Sequence, residues 1–383
     1  MPSATPVHTS ELLPCERKGS ARPVVGARPI TTAAFSSAGT TIAAVMPVAT
    51  SRANGSPKGL ETRLVPAAGF ELVTLPAGQI MGRGLHARIG GALAIARGAL
   101  AARTLLRRRR SEIVLSVGGY ASVPAVLAAA SLRVPIALVE PNAQPGRANR
   151  LAARLARRIY VQFEEAARVL APGGGTPALA LGIPLREALI RAFHAAPPRR
   201  TPHAPLRLLV FGGSQGARQL NDAMIALAPR LDPTEIEIVH QTGEGDRERV
   251  AAAYAATPLR TEVMAFEPNM PRRYREADLA LCRAGAMTVA ELALAGRPAL
   301  LVPYPYAADD HQTANARALV AAGAARLLPA KTLTPEDVLH ALQELAAQPE
   351  TLRGMGLAAS KLARPDAADR IVDSCLELLG GGH

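Results

Sequence analysis

Tryptophan is absent from this 383-residue chain, and aromatic residues make up only 3% of it. So little stacking surface argues against a single-strand nucleic-acid binder built on aromatic platforms. Cysteine is nearly absent as well: Cys15, Cys282 and Cys375 are the three, with no C-x-x-C pair. A disulfide framework and a cysteine-ligated zinc site are therefore not expected, and a reducing compartment is the default. No run of about 18 uncharged apolar residues occurs, so no membrane-spanning segment is expected. The opening stretch, MPSATPVHTSELLPCERKGS, lacks the apolar core of a secretory signal. Acidic residues are in deficit, 31 against 44 Lys and Arg, which leaves a net charge of +13. That excess points to an anionic partner: a membrane surface, a nucleic acid or a phosphorylated substrate.

What is present is a strand–helix alternation long enough for two domains. Residues 1 to about 57 mix Ala, Ser, Thr, Pro and Gly without a sustained period and read as poorly ordered or irregular. From Gly59 the pattern sharpens. GLETRLVPAAG reads as a short helix, FELVTLP (70–76) as a strand and 85–109 as a long helix. Strands then follow at 112–117, 135–140, 159–163 and 178–184, with helices between them. The Pro-rich stretch 194–205 reads as a linker. Beyond it the alternation restarts at LRLLVFG (206–212) and continues to a helical tail over 334–382. The expectation is α/β: two doubly wound, parallel-sheet domains facing a cleft.

Several turns carry chemistry. GGSQGA (212–217) follows an apolar strand and opens a helix. Glycine permits close backbone approach, and a helix N-terminus offers unpaired N–H groups and partial positive charge to a phosphate. A tight turn with no ligand fits the same residues. GGYAS (118–122) is a weaker version of the same feature. Neither turn fits G-x-G-x-x-G or G-x-x-x-x-G-K-[ST], so a dinucleotide fingerprint and a P-loop are disfavoured. RAGAMTVAEL (283–292) places Glu291 in the second turn of a helix, where it suits ribose hydroxyls or is simply an exposed helix glutamate. DDHQTANA (309–316) gathers Asp309, Asp310, His311, Gln312 and Asn315. The amides suit a polyhydroxylated ligand, while the aspartates equally suit helix capping. EPNAQPGRANR puts Glu140 and Asn142 at the carboxyl end of a strand, where open α/β sheets bind ligands. Residues 83 to 110 hold eight arginines and no acid beside Ile89, Leu93, Ile95, Leu100 and Leu105. Such a helix suits an anionic bilayer surface; an ordinary Arg-rich surface helix has the same composition.

Taken in order, SPKGLE, GGYASVP, EPNAQPG, GGSQGA, RAGAMTVAEL and DDHQTANA resemble the MurG family over about residues 56–378. The resemblance implies a GT-B fold and inverting transfer of N-acetylglucosamine from UDP-N-acetylglucosamine to lipid I, the lipid-linked muramyl-pentapeptide. It implies no metal or cofactor, no nucleic-acid partner, and a peripheral place on the anionic cytoplasmic face of the inner membrane. Under it, residues 1–57 are unmatched, 58–196 form an acceptor- and membrane-side domain incomplete at its N-terminus, and 197–383 form the UDP-N-acetylglucosamine domain with the C-terminal helices. Residue by residue, it places Ser214 on the diphosphate with Gln215 beside it, and Arg186 in reach of the donor phosphates. The run Ala286, Met287, Thr288, Val289, Ala290 and Glu291 holds the nucleotide, with Glu291 on the ribose. Gln312 and Asn142 fall near the sugar hydroxyls, and Glu267 at a position that reads uracil mainly through its backbone. Tyr120, Ser122 and Glu140 fall on the acceptor side.

One family element has no counterpart. The family opens with a strand, GGTGGH and a helix, and that histidine is its candidate general base. His8 in PVHTSEL has neither the glycines nor the preceding strand. The expectation is that residues before about Ser56 derive from a shifted reading frame or a mis-assigned start, which translation of the upstream DNA in the other frames tests. Two alternatives accompany this reading: another GT-B lipid glycosyltransferase, and an inactive UDP-sugar binder lacking the first glycine turn.

Overall fold

The structure is a computed structural model. It describes residues 31–32, 36–37, 40–41, 71–75, 85–172, 175–194, 205–213 and 216–380. Two parallel sheets dominate. The second runs in the order Arg260–Met264, Ile236–Gln241, Leu206–Phe211, Leu279–Cys282, Ala299–Leu301, Ala325–Leu327. Its strands are nearly continuous Val, Leu, Ile and Ala because helices cover both faces, and Leu208, Ala280, Leu281, Ala299 and Leu300 are fully buried. The strand order reverses between Leu206–Phe211 and Leu279–Cys282. A doubly wound sheet binds ligands in the crevice at such a reversal.

The first sheet runs Thr31–Thr32, Val114–Ser116, Ile136–Glu140, Arg158–Val161, Ala178–Leu179, all parallel. This two-domain arrangement is the one expected for GT-B. Within the opening segment read as irregular, Thr31–Thr32 pair with Val114 and Leu115, and Ser36–Ser37 pair antiparallel with Thr40–Thr41. The backbone ladder, not an apolar pattern, defines these short pieces, so periodicity could not announce them. The expected helix over 59–69 lies outside the described residues. Of the strand expected over 70–76, only Leu75 forms a bridge and 71–74 form none. Burial of Leu75 beside Ala102, Leu106 and Val114 fixes that point, while Glu71 is held by Arg109.

The long helix spans Leu85–Arg109 and packs along Val123–Leu132. Its Ile89–Arg109 portion is long and apolar enough to cross a membrane by length and composition, with a mean hydropathy of 1.3 over its best window. The apolar residues do not form one stripe. Ile95, Ala102 and Leu106 are buried, whereas Ile89, Leu93 and Leu100 are exposed on the opposite side.

Prolines divide the tail into Pro335–Ala346, Pro349–Lys361 and Ala367–Gly380. The first is closed by a capping box between Thr334 and Asp337. The last returns to the first sheet. Ile371 and Cys375 pack against Ile113, Leu115, Val139 and Tyr160. Arg158 donates to Ser374 Oγ at 2.6 Å and pairs with Glu377 at 2.9 Å. The sequence division at 197 groups this helix with the second domain; its apolar face is satisfied by the first.

Candidate functional site

The crevice at the reversal of the second sheet is a cavity of about 780 Å³, within the range of small-molecule sites. Gly212, Gly213, Gly216, Ala217, Arg218, Gln219, Arg283, Gly285, Thr288, Tyr304, Gln312 and Lys331 are among its walls. Two helices begin there: Arg218–Leu227, entered through Ala217, and Ala286–Ala295, entered through Gly285. Neither entry residue caps its helix with a side chain, so both N-termini present amides to the cavity.

The first turn is built by glycine for a stated reason. Gly213 and Gly216 have φ of +88° and +73°, a region L side chains avoid. The Gly216 amide donates to the Gly213 carbonyl at 2.9 Å, closing the turn. A Cβ on Gly212 would run into Ala217, and one on Gly216 into the Thr242 carbonyl. Ser214 and Gln215 lie outside the described residues, between flanks that both line the cavity.

The run 286–291 divides by helical direction. Thr288 lines the cavity and Met287 is exposed. Val289 is core, and Ala290 packs toward the first domain. Glu291 sits beyond the cavity wall, where the buried Tyr274 hydroxyl donates to it at 3.0 Å and Arg186 approaches to 3.7 Å. Burial holds the Glu291 carboxyl above its usual range, opposed by Tyr274 and Arg186. The structure thus joins Arg186 and Glu291, 105 residues apart in sequence.

Gln312 accepts from the Tyr304 amide at 2.9 Å through Oε1, which turns its NH₂ group outward as a donor. Asp310 does not cap its helix through a backbone N–H; it takes the Thr313 hydroxyl at 2.6 Å. Asp309 instead faces Arg147 of the first domain at 3.6 Å. Glu267 is buried and satisfied: Arg273 donates to one oxygen and the Asn269 amide to the other at 2.7 Å. Its side chain holds the 267–269 turn through the Asn269 amide.

Across the cleft, Glu140 is 1% exposed. It accepts from the Asn142 amide at 2.9 Å, the Gly146 amide at 3.3 Å and Asn149 Nδ2 at 2.7 Å. A carboxylate so engaged acts on a substrate only through the 141–146 loop it holds. Asn142 Oδ1 accepts from Asn315 Nδ2 at 3.1 Å, and Asn315 Oδ1 accepts from the Ala143 amide at 2.8 Å. Asn315 also donates to the Ala284 carbonyl at 3.1 Å, tying the first domain's loop to the entry of the helix Ala286–Ala295. Tyr120 is half-exposed beside Gly118 and Gly119, and Ser122 donates to the Gly119 carbonyl at 2.9 Å.

Arg283 was not singled out by its sequence motif. It stands in the cavity wall, donating to Gln219 Oε1 and the Val302 and Pro303 carbonyls, all within 3.1 Å, with Tyr304 stacked over it at 5.7 Å. Burial pulls its guanidinium below the usual range. A charged residue directly after an apolar strand at the reversal point was the available signal.

Comparison with known proteins fits this geometry. Residues 48–161 match the glycosyltransferase family 28 N-terminal domain, and residues 207–371 its C-terminal domain. The chain is 41% identical over 342 residues to UDP-N-acetylglucosamine--N-acetylmuramyl-(pentapeptide) pyrophosphoryl-undecaprenol N-acetylglucosamine transferase of Pelobacter propionicus, covering 84% of this chain and 89% of that protein. It is 42% identical over 327 residues to the protein of the same name from Anaeromyxobacter dehalogenans, covering 85% of this chain and 84% of the other. The crystal structure of Acinetobacter baumannii MurG superposes with a TM-score of 0.68 at 31% identity, over 84% of this chain and 89% of that one. With both halves matched in sequence and fold, the chain belongs to the MurG family of glycosyltransferase family 28.

Proposed function

We propose that the chain transfers N-acetylglucosamine from UDP-N-acetylglucosamine to the C4 hydroxyl of the muramyl sugar of lipid I, giving lipid II. One observation carries the reading. Two helix N-termini, the Gly213–Gly216 turn and the cations Arg218, Arg283 and Lys331 converge on a single cavity. In the displacement, the acceptor hydroxyl gives up its proton to a general base or to solvent as its oxygen bonds to the anomeric carbon. The bond from that carbon to the diphosphate breaks, and UDP leaves with the electron pair. Charge gathers on the diphosphate, where fixed amides and cations favour the transition state over the ground state. Ser214, Gln215 and Arg186 are assigned to the diphosphate, Glu291 to the ribose and the 265–269 backbone around Glu267 to uracil. Gln312 and Asn142 are assigned to the sugar hydroxyls. Tyr120, Ser122 and the loop held by Glu140 are assigned to the acceptor.

Calorimetry with UDP, followed by radiolabelled transfer onto lipid I, tests this. Micromolar UDP binding and a labelled lipid product are expected. A folded chain that ignores UDP overturns the donor assignment. Binding without transfer favours the second reading, a UDP-sugar binder without turnover, which the lack of a GGTGGH turn in the sequence supports.

We further infer that the chain works at an anionic membrane surface, on the cytoplasmic face of the inner membrane. Ile89, Leu93 and Leu100 are exposed on one side of the helix Leu85–Arg109, four and then seven residues apart and so on one helical face. Arg97 and Arg107 flank them, whereas Arg103 is engaged by Ser131 of the neighbouring helix. A fully buried leucine contributes about 1.5–3 kcal/mol, and each nearby arginine adds roughly 1 kcal/mol on an anionic leaflet. Sedimentation with phosphatidylglycerol vesicles is expected to capture the protein, and neutral vesicles to capture far less. Leu93→Glu with Leu100→Glu is expected to weaken capture by at least about tenfold while UDP affinity stays unchanged. Equal capture of the wild type by neutral vesicles, or of the double variant by anionic ones, removes this surface from consideration.

A further inference from the structure

Behind the diphosphate turn lies a buried polar chain that the reaction as derived does not use. Tyr254, His240 and Asn221 are each no more than 1% exposed. Their hydrogen bonds have one consistent direction. Asn221 Nδ2 has two acceptors, the Thr242 carbonyl at 3.0 Å and Asp246 Oδ2 at 2.8 Å. The Asn221 amide is thereby oriented, and its Oδ1 must accept. His240 Nε2 lies 3.0 Å from that oxygen and so carries the proton. His240 Nδ1 is then an acceptor, and the Tyr254 hydroxyl donates to it at 2.8 Å. Burial keeps the imidazole neutral, with its pKa pulled down to about 3.

The chain ends on the Thr242 carbonyl, the same atom that a Cβ on Gly216 would strike. From its other side, Thr242 donates through its amide to the Met264 carbonyl at 2.9 Å, and the Gly243 amide donates to the Ala265 carbonyl at 3.1 Å. Thr242 therefore stands between the diphosphate turn at Gly216 and the loop that begins at Ala265. We infer that Asn221 is a positioning residue for the diphosphate turn: by fixing the Thr242 carbonyl, it holds the wall against which Gly216 is seated. The inference rests on the UDP-sugar reading above. Asn221 itself touches no substrate; it is on the first helix after the turn, with its side chain directed into the core.

The consequence is selective. Without Asn221 the Thr242 carbonyl loses its donor and the turn loses its seat, but the bonds from Thr242 and Gly243 to Met264 and Ala265 remain. Diphosphate recognition should suffer and nucleoside recognition should not. Calorimetry with UDP and with uridine on the full chain reads this difference. Asn221→Ala and Asn221→Asp are expected to bind UDP about tenfold more weakly, with uridine affinity within about twofold of wild type. The aspartate still accepts from His240 yet offers no donor to Thr242, so it should not rescue. Tyr254→Phe, a mild change at the far end of the chain, is expected to give a smaller loss of the same kind, and it decides the matter if the Asn221 variants fail to fold. Parallel losses of UDP and uridine, or no loss of UDP in a folded variant, overturn the inference. A wild-type chain that binds no UDP overturns the donor reading itself, which is a distinct result.

Discussion

Glu291→Ala is expected to weaken UDP-N-acetylglucosamine binding about 10²-fold, and Glu291→Gln about tenfold. A hydrogen bond to a charged group contributes about 1.5–3 kcal/mol, against about 1 kcal/mol for a neutral pair. On the proposed ribose assignment, a carboxylate accepting two ribose hydroxyls carries a factor of this size. The alanine variant also leaves the buried Tyr274 hydroxyl without its acceptor, so the glutamine variant separates recognition from folding. The pH dependence has a definite sign. Burial raises the Glu291 pKa, so the folded chain holds its proton more readily than the unfolded one. The stability this group contributes is complete below the ordinary carboxylate pKa and is lost as pH rises through the raised value. Ligand hydroxyls favour the ionised form. UDP affinity should therefore rise with pH across the same window, and the glutamine variant should show a flat profile there. Identical pH profiles for wild type and Glu291→Gln, or unchanged affinity in both variants, remove Glu291 from the ribose.

Elements whose boundaries are set locally were legible in the sequence. The helix read over 85–109 is Leu85–Arg109, and the strand read over 206–212 is Leu206–Phe211. Both are long periodic or apolar runs ended by glycine, proline or a charge cluster. The two helix entries at the cavity were legible for the same reason, because glycines stand directly between strand and helix. Contacts made over long separations were not legible. Asn315 meets Asn142 across 173 residues, and Arg158 meets Ser374 across 216; no local spacing encodes either meeting. The side-chain chain through Asn221 and His240 belongs to this class. Asn221 looks like an ordinary helix residue, and His240 like one alternation within a strand, until the fold sets them 3.0 Å apart. Glu140 shows the complementary case. Its place at a strand end was readable, but its role as the fully engaged organiser of a loop depends on the Asn142, Gly146 and Asn149 donors around it. The exposed leucines of the long helix were visible as residues, yet only packing against Val123–Leu132 shows which apolar side faces outward.

Replacing residues 1–55 with a strand–GGTGGH–helix segment of the family is expected to raise the rate of transfer onto lipid I by about 10²–10⁴-fold, the usual contribution of a placed general base. The fold fixes where the graft must act. Thr31–Thr32 run parallel beside Val114 and Leu115 at the edge of the first sheet. A strand seated there brings its carboxyl end to the same edge as Val114–Ser116, next to Gly118 and Gly119. Parallel strands present their ligand-facing turns along that edge, so the grafted histidine would stand on the acceptor side of the cleft. The donor cavity is walled by residues of the second domain, from Gly212 to Lys331. The graft should therefore leave UDP affinity nearly unchanged and act on turnover. The decisive comparison is between the graft and its counterpart with alanine in place of the motif's histidine. A rate gain that survives the alanine would assign the effect to sheet completion rather than proton removal, and a graft no faster than the parent chain would mean that the base lies among the chain's own residues.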